Sequence, residues 1–212
     1  FVKTCEGSVV FKFDEQKLKT NRPKIDAVIN DAVASPENLK KYVLDSIKGF
    51  YEFAGNDKEL LCAVSNGYES AHKPGYIGHH NGLEQFTVYT YNFTGGAHGL
   101  GETTYYLFDE NDHRLTLADI LQGDKTALIP LLDAAYKAET KTAPADKNLD
   151  EYQRAWVKAL HERTDNFYFS ADGIVFAYRP YAVSSYADGQ VELTLPYAKL
   201  HGIIKDAYLP QK

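Results

Sequence analysis

The sequence predicts an α+β fold: a largely antiparallel sheet with packed helices, in two small fused subdomains. Three observations carry that prediction. Strand-like and helix-like runs come in groups, without the regular alternation of a βαβ series. Asp172-Gly173 and Asp188-Gly189 give two turn signals of the hairpin kind late in the chain. Aromatic residues reach 13%, with 16 Tyr and 11 Phe, a usage that suits strands. Residues 1–83 are assigned to an N-terminal subdomain and 84–212 to a C-terminal one.

The run SVVFKF at 8–13 reads as a first strand. RPKIDAVINDAVA at 22–34 reads as a helix with Ile25, Val28, Ile29 and Val33 on one face. A second helix follows over 35–55, with Ser35 as N-cap, Pro36 at the first helical position and Gly55 as the stop. Leu39, Tyr42, Val43, Ile47, Phe50 and Tyr51 form its apolar stripe. ELLCAVSNGYES at 59–70 is strand-like, and NGYESAHKPGYIGHHNG at 66–82 breaks every period and reads as a long, mobile surface loop. Strands are then expected at LEQFTVYTYNFT (83–94) and ETTYYLFD (102–109), with LTLADIL at 115–121 after the turn.

DKTALIPLLDAAYKAE at 124–139 is helical in pattern, Leu128, Leu131, Leu132 and Tyr136 facing inward and Pro130 interrupting as a possible kink. TKTAPADKN at 140–148 is a polar linker. Asn148 and Glu151 read as a capping pair for the helix LDEYQRAWVKALHER, whose inner face is Leu149, Tyr152, Trp156 and Leu160. The closing strands are FYFSADGIVFAY (167–178) and VSSYADGQVELTL (183–195); in the second, Val191, Leu193 and Leu195 alternate with Gln190, Glu192 and Thr194.

A net charge of −6 and no basic block argue against nucleic acid and anionic membrane surfaces as partners, and favour a basic partner. No run of 18 apolar residues occurs, so no transmembrane helix is expected and any membrane attachment would come through a segment absent from this chain. The chain starts at Phe1 and has no Met, which reads as a trimmed product from which any signal or anchor segment is missing; FVKTC is not a lipobox. Cys5 and Cys62 make one candidate disulfide, worth about 4 kcal/mol for a loop of that length; two buried thiols are the alternative.

The motif GGAHGLG at 95–101 follows a strand directly. It fails the dinucleotide test, because Thr104 stands where the third glycine would be and a strand, not a helix, follows. No Walker sequence, serine-hydrolase elbow or H-E-x-x-H occurs. His72, His79, His80 and His98 cluster in sequence, yet no carboxylate or cysteine is placed beside them at ligand spacing, and no metal or cofactor is assigned. Glycines at such a corner allow close backbone approach. His98 is either a structural residue bonding carbonyls across that bend or a working base. Asp109 and Glu110 read as a solvated turn. YRPYAVSSYADG at 178–189 combines Arg179 and Pro180 with Tyr178, Tyr181 and Tyr186, the composition of a binding hot spot or of tyrosines half-buried over a sheet.

YNFTGGAHG at 91–99, LTLADIL at 115–121 and DGIVFAYRPYAVSSYADGQVELTLPYAKL at 172–200 occur in an order that resembles a bacterial envelope domain family of largely unknown function. Its members include the ectodomains of lysozyme-sensing anti-sigma factors and a domain preceding some peptidoglycan deacetylases. Gly95, Gly96, His98, Gly99, Pro180 and Tyr181 carry the resemblance, which is stronger over 84–204 than over 8–80. It implies a pair of α+β subdomains outside the cytoplasm, periplasmic or on the cell surface, behind a signal peptide or lipid anchor, with no catalytic residues of its own.

The expected function is therefore a non-enzymatic binding domain of the envelope, taking lysozyme, another basic protein or peptidoglycan fragments. His98, Arg179, Pro180, Tyr181 and Tyr186 are its candidate binding residues. Two alternatives stay open: an envelope glycan or peptide hydrolase using His98, and a stress-response lipoprotein or scaffold without a small ligand.

Overall fold

The computed structural model describes residues 3–4, 7–8, 11–31, 40–41, 44–45, 48–49, 52, 55, 68–93 and 97–210. It has the α+β class that the sequence predicts, with a mostly antiparallel sheet. Cys5, Cys62, Gly95 and Gly96 lie outside the described residues, as does the apolar stripe expected between 39 and 51. Two compact units form, one of residues 1–74 with 89–101, the other of 75–88 with 102–212. No described helix is long and apolar enough to cross a membrane.

In the first unit, β1 (Lys3–Thr4) pairs antiparallel with β2 (Gly7–Ser8). Strand β3 (Phe11–Glu15) runs parallel to the start of β4 (Tyr68–His80), from Phe11 opposite Tyr68 to Glu15 opposite His72. Helix α1 (Pro23–Ile29) opens with its proline in the first turn and buries Ile25 and Ile29 completely. The Asp26 carboxylate accepts from the Thr20 amide at 2.8 Å and its hydroxyl at 2.6 Å, tying the entering chain to the helix. Asn30 ends α1 five residues before the helical pattern in the sequence ends. Its side-chain amide donates to the carbonyls of Asp26 at 2.7 Å and Leu18 at 2.9 Å, a local alternative to continuing the helix. Within the second predicted helix, Lys40, Lys41, Leu44, Asp45, Lys48, Gly49 and Glu52 are helical.

In place of the loop expected at 66–82, its described residues, 68–82, form strand β4 and its turn. Asn81 (φ 43°) and Gly82 (φ 81°) both take left-handed backbone, the two-residue hairpin geometry that leads straight into β5 (Leu83–Phe93). The alternation along β4 escapes a hydropathy reading because its buried positions are polar. Ser70 and His72 are buried, and the His72 Nε2 bonds the Ile29 carbonyl at 3.0 Å.

Strands β5, β6 (Leu100–Phe108) and β7 (Arg114–Leu115) complete a sheet of order β3-β4-β5-β6-β7, of which β4, β5 and β6 contribute residues to both units. In the second unit, Asp109 accepts from the amides of Asn111 and His113 and closes the turn before β7. A capping box of Thr116 and Asp119 starts α2 (Leu117–Ile120). A 3₁₀ turn at Lys125–Leu128 leads into α3 (Ile129–Thr140). Pro130 falls in the first turn of α3, where its missing N–H has no helical acceptor to lose, so it starts the helix and does not kink it. The cap of α4 (Glu151–Glu162) is Asp150 paired with Gln153, not Asn148 with Glu151. Tyr152 is 74% exposed and leaves the inner face to Leu149, Trp156, Val157 and Leu160.

A second sheet, of order β10-β9-β8, is built from β8 (Phe167–Phe169), β9 (Gly173–Tyr178) and β10 (Val191–Pro196). β10 alternates as its sequence predicts, Val191, Leu193 and Leu195 buried and Glu192 and Thr194 exposed. Strands β9 and β10 pair antiparallel, but Asp188-Gly189 is not a two-residue hairpin between them: it closes a 3₁₀ turn at 186–188, where Asp188 and Ser185 cap each other. One core joins these strands to α2, α3 and α4, with Leu132, Leu160, Phe167, Ile174, Phe176, Leu193 and Ile204 almost completely buried.

Three side-chain amides link the second sheet to neighbouring strands of the same unit. Asn166 accepts from the Tyr105 amide at 2.8 Å and donates to the carbonyls of Thr103 at 2.9 Å and Ala177 at 3.2 Å. Gln190 accepts from the Thr103 amide at 2.8 Å. Gln85, 4% exposed, accepts from the Phe169 amide and donates to its carbonyl, standing in for a strand partner.

Candidate functional site

The described part of GGAHGLG belongs to the first unit and serves strand packing. A β-carbon at Gly99 would collide with the hydroxyl end of the Tyr91 ring, and one at Gly101 would lie 2.7 Å from the Tyr89 hydroxyl. Both tyrosines come from β5, so each glycine clears space for an aromatic ring on the adjoining strand. His98 is exposed, and its Nδ1 lies 3.4 Å from the Gly99 carbonyl.

The second candidate stretch divides. Tyr178 is 2% exposed and its hydroxyl donates to the Leu160 carbonyl at 3.0 Å, so it is a core residue. Burial pushes its phenol well above the ordinary tyrosine range. Pro180 is buried in the turn that ends β9. Tyr181 follows with φ 67°, an uncommon conformation for a bulky residue, and 55% of it is exposed. Its ring packs on Tyr186 with centroids 5.4 Å apart. The structure thus brings together Tyr181 and Tyr186. Arg179 lines a separate charged cleft of 260 Å³ with Glu102, Glu162, Arg163 and Asp165.

A larger cleft, of 470 Å³, opens in the same unit among His79, His80, Gln85, Thr87, Tyr105, Tyr168, Phe169 and Ser170. Tyr105 and Tyr168 stack at 4.3 Å with 22° between their planes. Both hydroxyls donate to Glu192, at 2.8 Å and 3.2 Å. His80 stacks on Phe169 at 4.5 Å and bonds the Tyr208 carbonyl through Nε2 at 3.0 Å. Burial pulls the His80 pKa below its ordinary value despite that bond, so the ring is neutral at neutral pH, with Nε2 donating and Nδ1 left as an acceptor. A third cleft, of 320 Å³, is lined by Trp156, Glu139, Asp188 and Glu192 among others.

The sequence reading missed Tyr105, Tyr168 and Glu192. They are surface positions of three strands, β8 and β10 on either side of β9 and β6 in the other sheet, and only the tertiary structure makes them neighbours. Among the four histidines that cluster in sequence, His72 bonds the carbonyl of Ile29 and His80 that of Tyr208. Among the described residues, no group of three His, Cys, Asp or Glu could hold a metal ion.

Fold and clefts together define an α+β unit with aromatic-lined surface clefts. Residues 118–198 match the sequence model of DUF3298, a protein family of unknown function. That segment runs from α2 through β10 and includes Tyr168, Arg179, Tyr181, Tyr186 and Glu192. The fold is similar to that of a DUF3298 family protein from Pseudomonas aeruginosa PAO1, with a TM-score of 0.64 and 23% identity over 98% of this chain and 91% of that one. A DUF3298 family member from Bacteroides fragilis NCTC 9343 is also similar, with a TM-score of 0.56 and 26% identity over 82% of this chain and 71% of that one. No curated protein matches the sequence significantly. The comparisons thus relate residues 118–198 to a family of unknown function and the fold to two solved members of it.

Proposed function

We propose that the chain is a non-enzymatic, extracytoplasmic binding domain of the bacterial envelope, and that it docks a basic protein through Tyr181 and Tyr186. One observation carries this reading: Tyr181 is 55% exposed, fixed by a left-handed backbone and packed on Tyr186. Exposed aromatic rings held in place before binding lose little entropy when a partner covers them, which is why tyrosine is enriched at interface hot spots. The net charge of −6 favours a basic partner. A c-type lysozyme is the candidate, suggested by the resemblance to lysozyme-sensing ectodomains; anchoring by a lipid or signal segment belongs to the same proposal.

Titration calorimetry against a c-type lysozyme at low and high salt tests it, because salt removes attraction between net charges and leaves specific docking. Binding that survives high salt and weakens by about tenfold or more in Tyr181→Ala is expected. Binding that vanishes in salt would remove lysozyme as the partner, and binding that Tyr181→Ala leaves unchanged would remove the Tyr181–Tyr186 pair as the docking site.

A further inference from the structure

We infer that the cleft around the Tyr105–Tyr168 stack binds a neutral saccharide. The inference does not rest on the protein partner proposed above, which uses other residues.

The cleft's volume of 470 Å³ lies within the range of small-molecule sites, about 300–1,000 Å³. Its lining contains no Lys, Arg, Asp or Glu, whereas the other two clefts described in this unit each carry at least three charged groups. The carboxylate nearest to it, Glu192, accepts from both tyrosine hydroxyls, so the lining itself offers a charged ligand no counter-ion. Aromatic surface comes from Tyr105 and Tyr168, with the buried Phe169 behind them, and polar edges from Thr87, His79, His80 and Ser170. That pairing matches a pyranose, whose C–H face packs on an aromatic ring while its hydroxyls seek donors and acceptors at the rim.

The platform is built before any ligand arrives. Tyr105 and Tyr168 stack at 4.3 Å, and donation to Glu192 fixes both hydroxyls, leaving their lone pairs to accept from sugar O–H groups. Asn166 holds the Tyr105 amide, and Gln85 holds both backbone groups of Phe169. The side chains that shape the cleft therefore sit on strands bonded to one another, and little ordering is left to oppose binding.

The test is titration of the intact chain with chitotetraose and cellotetraose up to roughly 10 mM, a range that captures millimolar dissociation constants. Tyrosine ring resonances serve as one readout and calorimetry as the other. At least one of the two sugars should bind saturably and shift the rings of Tyr105 and Tyr168 while leaving Tyr181 in place. Tyr168→Ala should weaken binding by tenfold or more and Tyr181→Ala should not change it. No saturable binding of either sugar overturns the inference, as do ring shifts confined to residues outside the cleft. The ring shifts need no substitution, so the outcome stands even if Tyr168→Ala fails to fold. Loss of lysozyme binding in Tyr181→Ala with sugar binding intact would separate the two sites.

Discussion

Tyr91 of β5 covers Gly99, the residue that leads into β6, so closely that a β-carbon there would collide with the hydroxyl end of the ring. The next glycine, Gly101 of that strand, stands in the same relation to Tyr89. The glycine spacing of the HGLG segment is thus an imprint of two tyrosines two residues apart on the facing strand, not the cradle of a ligand.

Gly99→Ala should destabilise the chain by about 1–3 kcal/mol, the usual cost of forcing extra atoms against a neighbour; Gly101→Ala should cost less, because the Tyr89 ring that it meets is 38% exposed and can swing aside. Urea unfolding measures it. Tyr91→Ala combined with Gly99→Ala should recover part of the loss, since the ring that clashes is gone; additive losses would contradict the packing described here.

Asn166 bonds three backbone groups with one side chain. Asn166→Ala should cost about 1–3 kcal/mol through the unpaired groups it leaves. Asn166→Asp keeps an acceptor for the Tyr105 amide but loses both donated bonds, so it should also destabilise. An Asn166→Ala protein as stable as the parent would show that these groups find other partners.

Stability should fall at both ends of the pH scale. The Thr20 hydroxyl and amide hold the Asp26 carboxyl below its ordinary pKa, as the Thr116 amide and hydroxyl do for Asp119 and those of Thr126 for Asp124. A carboxylate whose folded pKa is depressed stabilises the fold above its unfolded value, about 4, and that contribution is lost as pH falls through the folded value. At the alkaline end, burial raises Tyr136 and Tyr178, and burial with the Asp172 charge pushes Tyr197 up to about 12. These phenols have no effect below the unfolded tyrosine pKa of about 10; as pH rises from there through the folded values, ionisation favours the unfolded chain. Thermal melts across the pH range should show a plateau between these limits. A melting temperature that stays level down to about pH 2 would contradict the carboxylate contribution.

The legible elements were those whose period survives in the chain. β10 reads directly because Val191, Leu193 and Leu195 are aliphatic and their neighbours polar. β4 was read as a loop because its buried positions are Ser70 and His72, whose burial depends on partners elsewhere in the chain: Glu15 for the serine hydroxyl and the Ile29 carbonyl for the histidine. Pro130 and Asp150 show a smaller version of the same limit. Each is a helix-start residue, and its meaning changed once the first turn was placed one or two residues from where the apolar pattern begins. The segment holding Tyr181 and Tyr186 was visible from composition, but which of its tyrosines face solvent was not, since Tyr178 differs only in lying on the last turnless position of β9.

The sequence by itself determined the α+β class, the order of the late elements and the turn that joins β8 to β9, because turn residues and side-chain period act over a few neighbouring positions. Only the tertiary structure decided the clefts. Tyr105, Tyr168 and Glu192 come from three strands, and hydrogen bonds between distant segments, through Asn166, Gln190 and Gln85, set which of their side chains meet. Local physics selects strands and turns; long-range pairing selects neighbours, and a binding surface is made of neighbours.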